Sequence, residues 1–445
     1  LRWVGVGKGA FGAMLKRPSR QAGWLGAPAG VVASDIDASS NNPFIRYRRF
    51  LWSYHAAAKK GCSDADFTQL VQRLDAAVAE VDSKGFEVTP FKNLSALARE
   101  VGIGQLAAKD ESHNVAGSHK ARHLFGLALH LEVQQVSYSQ PLAIASCGNA
   151  ALGAAVVARA LQRPLDVFAP VHADETILGE LDRLGAHVHL CDRLPNESGD
   201  PSFLRFKEAI SAGALAFSVQ GTENIFALDG GRCLGWELAE SFAGDKVEGT
   251  GFASESLFIQ VGGGALASSV IQGLTEACDL GLLRSLPAVF AVQTVGCAPL
   301  ARALNLVLEK AKELDSAEAA LAASQDHPAD YMWPWEPEPK SVATGILDDE
   351  TYDWLPIVWG MLETQGGAPV VSEKTLAQAS ALATQHSGSR IGPTGAAGLA
   401  GVMNLVSTSD AGQAKSCAGQ AKDDNSVLAG SELPAGATVL LTGRT

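Results

Sequence analysis

The segment NVAGSHKARH, Asn114 to His123, sets one lysine between two histidines and follows it with an arginine. A lysine on a helix is ordinarily a solvated charge. It becomes a nucleophile or a base only where desolvation or nearby cations favour loss of its proton. His119, Arg122 and His123 surround Lys120 with cations or anion donors. The segment therefore reads either as a charged helix face or as an anion site that contains a reactive lysine. His119 and His123 are four apart, a spacing that also suits two metal ligands on a helix face. Spacing suggests no third ligand, and no metal is expected.

Three further stretches carry oxygen-binding or anion-binding chemistry. In QVGGGALASS, Gly262, Gly263 and Gly264 follow an apolar run and precede a helical one, with Ala265 next. Glycine lets an anion approach the backbone, and a helix N-terminus offers free N–H groups and a positive dipole end. A phosphate is the expected ligand; a tight strand–helix turn is the plain alternative. The spacing is neither GxGxxG nor GxxxxGK[ST], so neither the dinucleotide fingerprint nor the Walker loop is supported. In ASCGNAALG, Ser146, Cys147, Gly148 and Asn149 stand between a strand-like run and a helix. There the Ser146 hydroxyl, the Asn149 amide and backbone N–H groups would converge on a carboxylate, or else simply cap the helix. In LLTG, Thr442 stands at the C-terminal end of a late strand-like run, the edge where open α/β sheets bind ligands.

Strands alternating with helices must position these residues. PLAIAS, PLDVFAP and HVHLCD read as strands, separated by the helices NAALGAAVVARALQR and ETILGELDRLGA. WELAESF and the run after the glycines read as helices, and SLFIQV, AVFAVQT and TVLLTG as strands. The pattern predicts βαβ units and parallel sheets. We divide the chain into a mostly helical N-terminal extension (1–84), an α/β domain with Lys120 and the SCGN loop (85–225), and an α/β domain with the glycine loop (226–445). FTQLVQRLDAAVAEV in the extension has apolar residues at helical spacing.

Composition narrows the partners. A net charge of −13 argues against nucleic acid, whose phosphates call for a basic surface. A small molecule is the expected partner. There is no apolar run of eighteen residues, so no membrane span is expected. Seven scattered cysteines without a CxxC pair fit a reducing compartment, and a cytoplasmic protein is expected. Leu1 to Ser34 contains no acid but five basic residues, Arg2, Lys8, Lys16, Arg17 and Arg20. It reads as an organellar transit peptide or as a mobile or partner-clasping arm. SQDHPADYMWPWEPEPKSVATG (324–345) reads as a lid, a subunit contact or a surface insertion. The AGQAK repeat within 411–426 reads as a low-complexity loop.

Taken in order from about Thr89 to Gly443, these motifs resemble the fold-type II pyridoxal-phosphate (PLP) enzymes. That group contains tryptophan synthase β, threonine synthase and the serine/threonine dehydratases. VTPFKNLSALAREVG resembles the opening TPL…L…LG, LAAKDESHNVAGSHKAR the KxE…GSxKxR segment, and ASCGNAALG the dehydratase ASxGNxxxG. DGGRCLGWELAE, VGGGAL and GPTGAAGLAG resemble the helix before the phosphate loop, the loop itself and the EPSGAA helix start.

The resemblance implies two open α/β domains with mostly parallel sheets and PLP in the cleft between them. It implies that Lys120 forms the Schiff base with PLP and removes the substrate Cα proton. Gly262, Gly263, Gly264 and Ala265 would hold the phosphate, His119 would face it, and Asn149 would bond the 3′-oxygen. Ser146, Cys147, Gly148 and Asn149 would line the substrate carboxylate site, and Thr442 would face the pyridine nitrogen. A hydroxyl cannot protonate that nitrogen as a carboxylic acid would, which favours prompt loss of a β-leaving group. The implied activity is a lyase that β-eliminates from a small amino acid, in a homodimer. The alternatives are a β- or γ-replacement synthase and a non-catalytic PLP- or amino-acid-binding regulator. Two features depart from the family. Gly392 stands where a Glu usually precedes Pro-Thr/Ser-Gly, and NPFIRYRRFLWSYHA has no equivalent in minimal dehydratases. In the latter, Arg46, Arg48 and Arg49 read either as a substrate-phosphate site or as a structural arm.

Overall fold

The computed structural model describes residues 15–195, 197, 199–244, 255–336, 338–416 and 434–443. Arg2, Lys8 and the second half of the AGQAK repeat lie outside these residues. The strands, in chain order, are β1 (Phe91–Asn93), β2 (Gln105–Asp110), β3 (Leu142–Ala145), β4 (Leu165–Pro170), β5 (His187–Cys191), β6 (Leu215–Ala216), β7 (Ser256–Gln260), β8 (Ala288–Thr294), β9 (Val370–Val371) and β10 (Gly436–Leu441). They form a six-stranded sheet, β1-β2-β10-β7-β8-β9, and a four-stranded sheet, β5-β4-β3-β6. Every pair is parallel except β1 with β2. Among the described residues no helix is long and apolar enough to cross a membrane.

The chain folds into two compact units. One comprises Leu1–Trp24, Pro90–Ser112 and Leu238–Thr445; the other comprises Leu25–Thr89 and His113–Glu237. These are not the contiguous blocks 1–84, 85–225 and 226–445. The difference has a physical origin in β2, which pairs with β10 from Gly436↔Gln105 to Leu441↔Asp110. Pairing across more than three hundred residues leaves no local trace in sequence, yet it moves Pro90–Ser112 into the unit of the glycine loop.

The unit holding Lys120 is built around the helix Lys120–Gln134, most of whose residues are buried. The helix Ala227–Gly244 crosses it at two glycines. A Cβ on Gly230 would overlap the Arg122 carbonyl, and one on Gly126 would lie 2.6 Å from the Gly230 nitrogen. The two backbones therefore touch, which only glycine permits. Beside the crossing, the Arg122 guanidinium donates to Glu237 at 2.6 Å, both side chains being fully buried. Asp229 holds Arg232 at 2.6 Å and accepts from the Trp52 and Ser53 N–H groups. The helix Asp64–Asp82 starts with a capping box between Ser63 and Asp66 and buries Phe67, Val71, Leu74 and Val78 at the predicted spacing. Arg48 bridges Asp37 and Asp64 at 2.8 Å each, Arg49 reaches Asp35, and Arg46 donates to the Ala38 and Ser40 carbonyls. These three arginines tie the arm to itself.

In the other unit β7 is buried along its whole length and β8 beyond its first residue. That is why these strands read as continuous apolar runs. Residues Leu15–Trp24 lie along this unit: Arg17 pairs with Asp279, and Trp24 packs edge-on against Trp359 with centroids 4.9 Å apart.

Candidate functional site

Lys120 opens its helix directly after a strained turn. Ala116 and Gly117 take successive left-handed conformations (φ 53° and 69°). A left-handed alanine costs about 1 kcal/mol. The turn is held against that cost: Asn114 Oδ1 accepts from Val115 N–H, and Asp82 accepts from Ala116 N–H at 3.0 Å. Lys120 is half-buried, while His119, Arg122 and His123 are buried. Arg122 is committed to Glu237, and His123 Nδ1 lies 2.9 Å from the Ala227 carbonyl oxygen. Of the basic cluster, Arg122 and His123 thus hold the helix in place. Among the described residues no group of three or more His, Cys, Asp or Glu side chains is arranged to bind a metal ion.

Burial, and then the neighbouring cations Lys120, His123 and Arg122, hold the His119 imidazole well below its ordinary value. His119 is therefore neutral at pH 7 and is an N–H donor rather than a cation. A testable sign follows. The unfolded chain, with its histidine near 6.5, takes up a proton that the folded one refuses. The associated stability is fully present above that value and is lost as pH falls below it towards the depressed folded value. Its slope is up to about 1.4 kcal/mol per pH unit. Urea midpoints between pH 8 and 5 should fall more steeply for wild type than for His119→Asn. Equal slopes would refute the neutral assignment.

The SCGN loop lies in the same unit as the lysine. β3 ends at Ala145, and the helix Asn149–Ala160 begins four residues later. Gly148 is its N-cap and has no side chain to cap with, so the Asn149 amide is not the cap. Ser146 Oγ accepts from Gly148 N–H at 3.4 Å, and Cys147 is exposed. One turn into this helix, Gly153 packs on the start of the lysine helix. A Cβ there would lie 3.3 Å from Ala121 N and 3.2 Å from Leu124 Cδ1. This close approach packs the helix Asn149–Ala160 on the start of the lysine helix.

The glycine loop and Thr442 belong to the other unit. β7 runs parallel to β10 with Phe258 opposite Val439. Gly262 and Thr442 therefore emerge at the same C-terminal edge of one sheet. Gly264 (φ 100°) is the N-cap of the buried helix Ala265–Asp279, whose first N–H groups have no intrahelical partner. Thr442 is buried, and Gly395 of the GPTGAAG segment approaches its carbonyl so closely that a Cβ would overlap it.

Sequence reasoning missed the segment Ile346–Asp353, which packs on the glycine loop. Gly263 N–H donates to Asp348 Oδ2 at 2.8 Å. Thr351 Oγ1 donates to the Gly262 carbonyl, and Asp353 N–H to the Gly263 carbonyl, both at 2.9 Å. A Cβ on Gly262 would come within 2.9 Å of Ile346 Cα. The aromatic-rich stretch before this segment is anchored in turn. The Arg302 guanidinium stacks 3.8 Å from the Trp333 ring centre, and Trp335 N–H donates to the Asp349 carbonyl. No motif announces this strap; the acidic DDE after a long loop was the only visible signal. A carboxylate oxygen already held by a loop N–H is also the structural sign that this cradle suits an oxyanion such as a phosphate.

The family model for "Pyridoxal-phosphate dependent enzyme" matches residues 83–418. The chain is 23% identical to a threonine synthase of Methanosarcina acetivorans over 319 residues, 72% of this chain and 69% of that protein. It is 28% identical to a serine dehydratase-like protein of Mus musculus over 205 residues, 46% of this chain and 57% of that protein. The crystal structure of a threonine deaminase from T.th. shares the fold with a TM-score of 0.57 at 20% identity. That match covers 84% of this chain and 97% of the other. With the family matched over most of its length, the chain belongs to the pyridoxal-phosphate dependent enzymes of fold type II.

Proposed function

We propose that this chain is a lyase that β-eliminates from a small amino acid, in the manner of a serine or threonine dehydratase. The observation that carries the reading is the packing of the helix that follows the Ser146–Asn149 loop on the start of the Lys120 helix, at the Gly153–Ala121 contact. The names of the mouse relative and of the threonine deaminase support the same chemistry.

Bound pyridoxal phosphate supplies the electron sink for loss of a substrate Cα proton. In the proposal Lys120 Nζ would be the cofactor's attachment point at rest and, once the substrate amine has displaced it, the free amine that takes the Cα proton. A base that opens a buried helix is held in orientation, which turns a random encounter into a positioned proton transfer. Ser146, Cys147, Gly148 and Asn149 receive the substrate carboxylate through hydroxyl and backbone N–H donors at the start of their helix. Asn149 would also donate to the cofactor's 3′-oxygen. Gly262, Gly263, Gly264 and Ala265 would donate N–H groups to the phosphate, and neutral His119 would add one more. Thr442 would offer a hydroxyl to the ring nitrogen.

A substrate screen tests the reaction type. Keto acid and ammonia from serine or threonine are the expected products, and turnover of phosphohomoserine alone would sink the lyase assignment. That outcome would favour the second reading, a replacement synthase, which the 23% identical threonine synthase supports. We place the protein in the cytoplasm and expect a homodimer. The described cysteines are all free thiols, in keeping with a reducing compartment. Sedimentation equilibrium tests the dimer.

A further inference from the structure

The glycine loop serves two claimants. The strap needs its glycines: side chains at Gly262 or Gly263 would run into Asp348, and Ile346 and Tyr352 crowd the same two positions. The strap also places a carboxylate on the Gly263 N–H at 2.8 Å. In the reading above that N–H belongs to the cofactor phosphate. One N–H makes one good hydrogen bond, and a carboxylate and a phosphate at the same donor repel each other.

We propose that Asp348 is a resident anion of the phosphate cradle, which competes with the cofactor phosphate for Gly263 N–H and so sets cofactor affinity. The inference rests on the reading that the loop binds the phosphate. The backbone of Asp348 is held from outside: its carbonyl lies 3.1 Å from Cys297 Sγ, and the next carbonyl accepts from Trp335 N–H. Rotation of the Asp348 side chain would free the Gly263 N–H while this backbone stays anchored. The strap continues with Asp349 and Glu350. Of these acidic side chains, Asp348 is the one that contacts the glycine loop.

The test uses the full-length protein, freed of cofactor by dialysis against hydroxylamine and titrated with PLP and, separately, with pyridoxal, which lacks the phosphate. Asp348→Asn should tighten PLP binding at least about tenfold and leave pyridoxal binding unchanged. Asp349→Asn removes the same charge one residue away and should change PLP affinity by less than about twofold. Circular dichroism checks that each variant folds, and Asp348→Ser repeats the test if the Asn variant does not. PLP affinity unchanged or weakened in folded Asp348→Asn, with wild type still preferring PLP to pyridoxal, overturns the inference and leaves the phosphate-loop reading standing. Equal tightening by Asp349→Asn also overturns it, because the effect would then be diffuse charge. Equal affinity of wild type for PLP and pyridoxal overturns the phosphate-loop reading, and the inference with it.

Discussion

Lys120→Ala is expected to abolish the visible absorbance band of the lysine-bound cofactor and to lower turnover by at least about a thousandfold. That loss combines the attachment point of the cofactor with the base for the Cα proton, each worth orders of magnitude. The substitution should cost little stability, because alanine is the best helix former and Lys120 is only half-buried. Borohydride reduction of wild type should trap the cofactor on the peptide containing Lys120, and the variant should yield no such peptide. Trapping on Lys109 or Lys92 instead, or a retained band in the variant, would remove Lys120 from its proposed role.

Gly230→Ala is expected to be among the most damaging single-methyl changes in the protein. Its Cβ would overlap the Arg122 carbonyl and lie 3.1 Å from Gly126 Cα. Both obstacles are backbone, so no side chain can rotate away. The two helices must separate, at a cost of about 3 kcal/mol or more. Separation pulls on Arg122, two residues after Lys120, and on its buried bond to Glu237. A folded Gly230→Ala protein should therefore also bind cofactor poorly. Gly179→Ala provides the contrast: it is helical, and nothing lies within 4 Å of its would-be Cβ. There alanine should stabilise by about 0.5–1 kcal/mol. Urea midpoints of the two variants should move in opposite directions. A Gly230→Ala midpoint equal to wild type would overturn the backbone-to-backbone crossing at Gly126 and Gly230.

Much of the architecture was legible along the chain because its signals are local. The strand runs ending at Ala145, Pro170, Cys191, Gln260, Thr294 and Leu441 and the helices between them follow from hydrophobic runs and turn residues. The order of motifs around Lys120, Ser146–Asn149, Gly262–Ala265 and Thr442 pointed to the family, and the family model matches over 83–418. What stayed hidden depends on distance along the chain. β2 joins β10 only because two remote strands share a sheet. Arg122 reads as one more cation beside the lysine until Glu237 claims it.

By itself, then, the sequence determined the alternation of strands and helices, the presence of one lysine in a motif suited to PLP, and the chemistry of a glycine loop before a helix. Those depend on residue type and short spacing, which a linear chain carries in full. The tertiary structure alone decided that burial keeps His119 neutral and that Gly153 seats the Asn149 helix beside Lys120. It alone decided that Asp348, eighty-five residues after Gly263, takes that residue's N–H. Each of these is a contact between segments far apart in sequence. Its free energy comes from desolvation and close packing, which exist only once the segments have met.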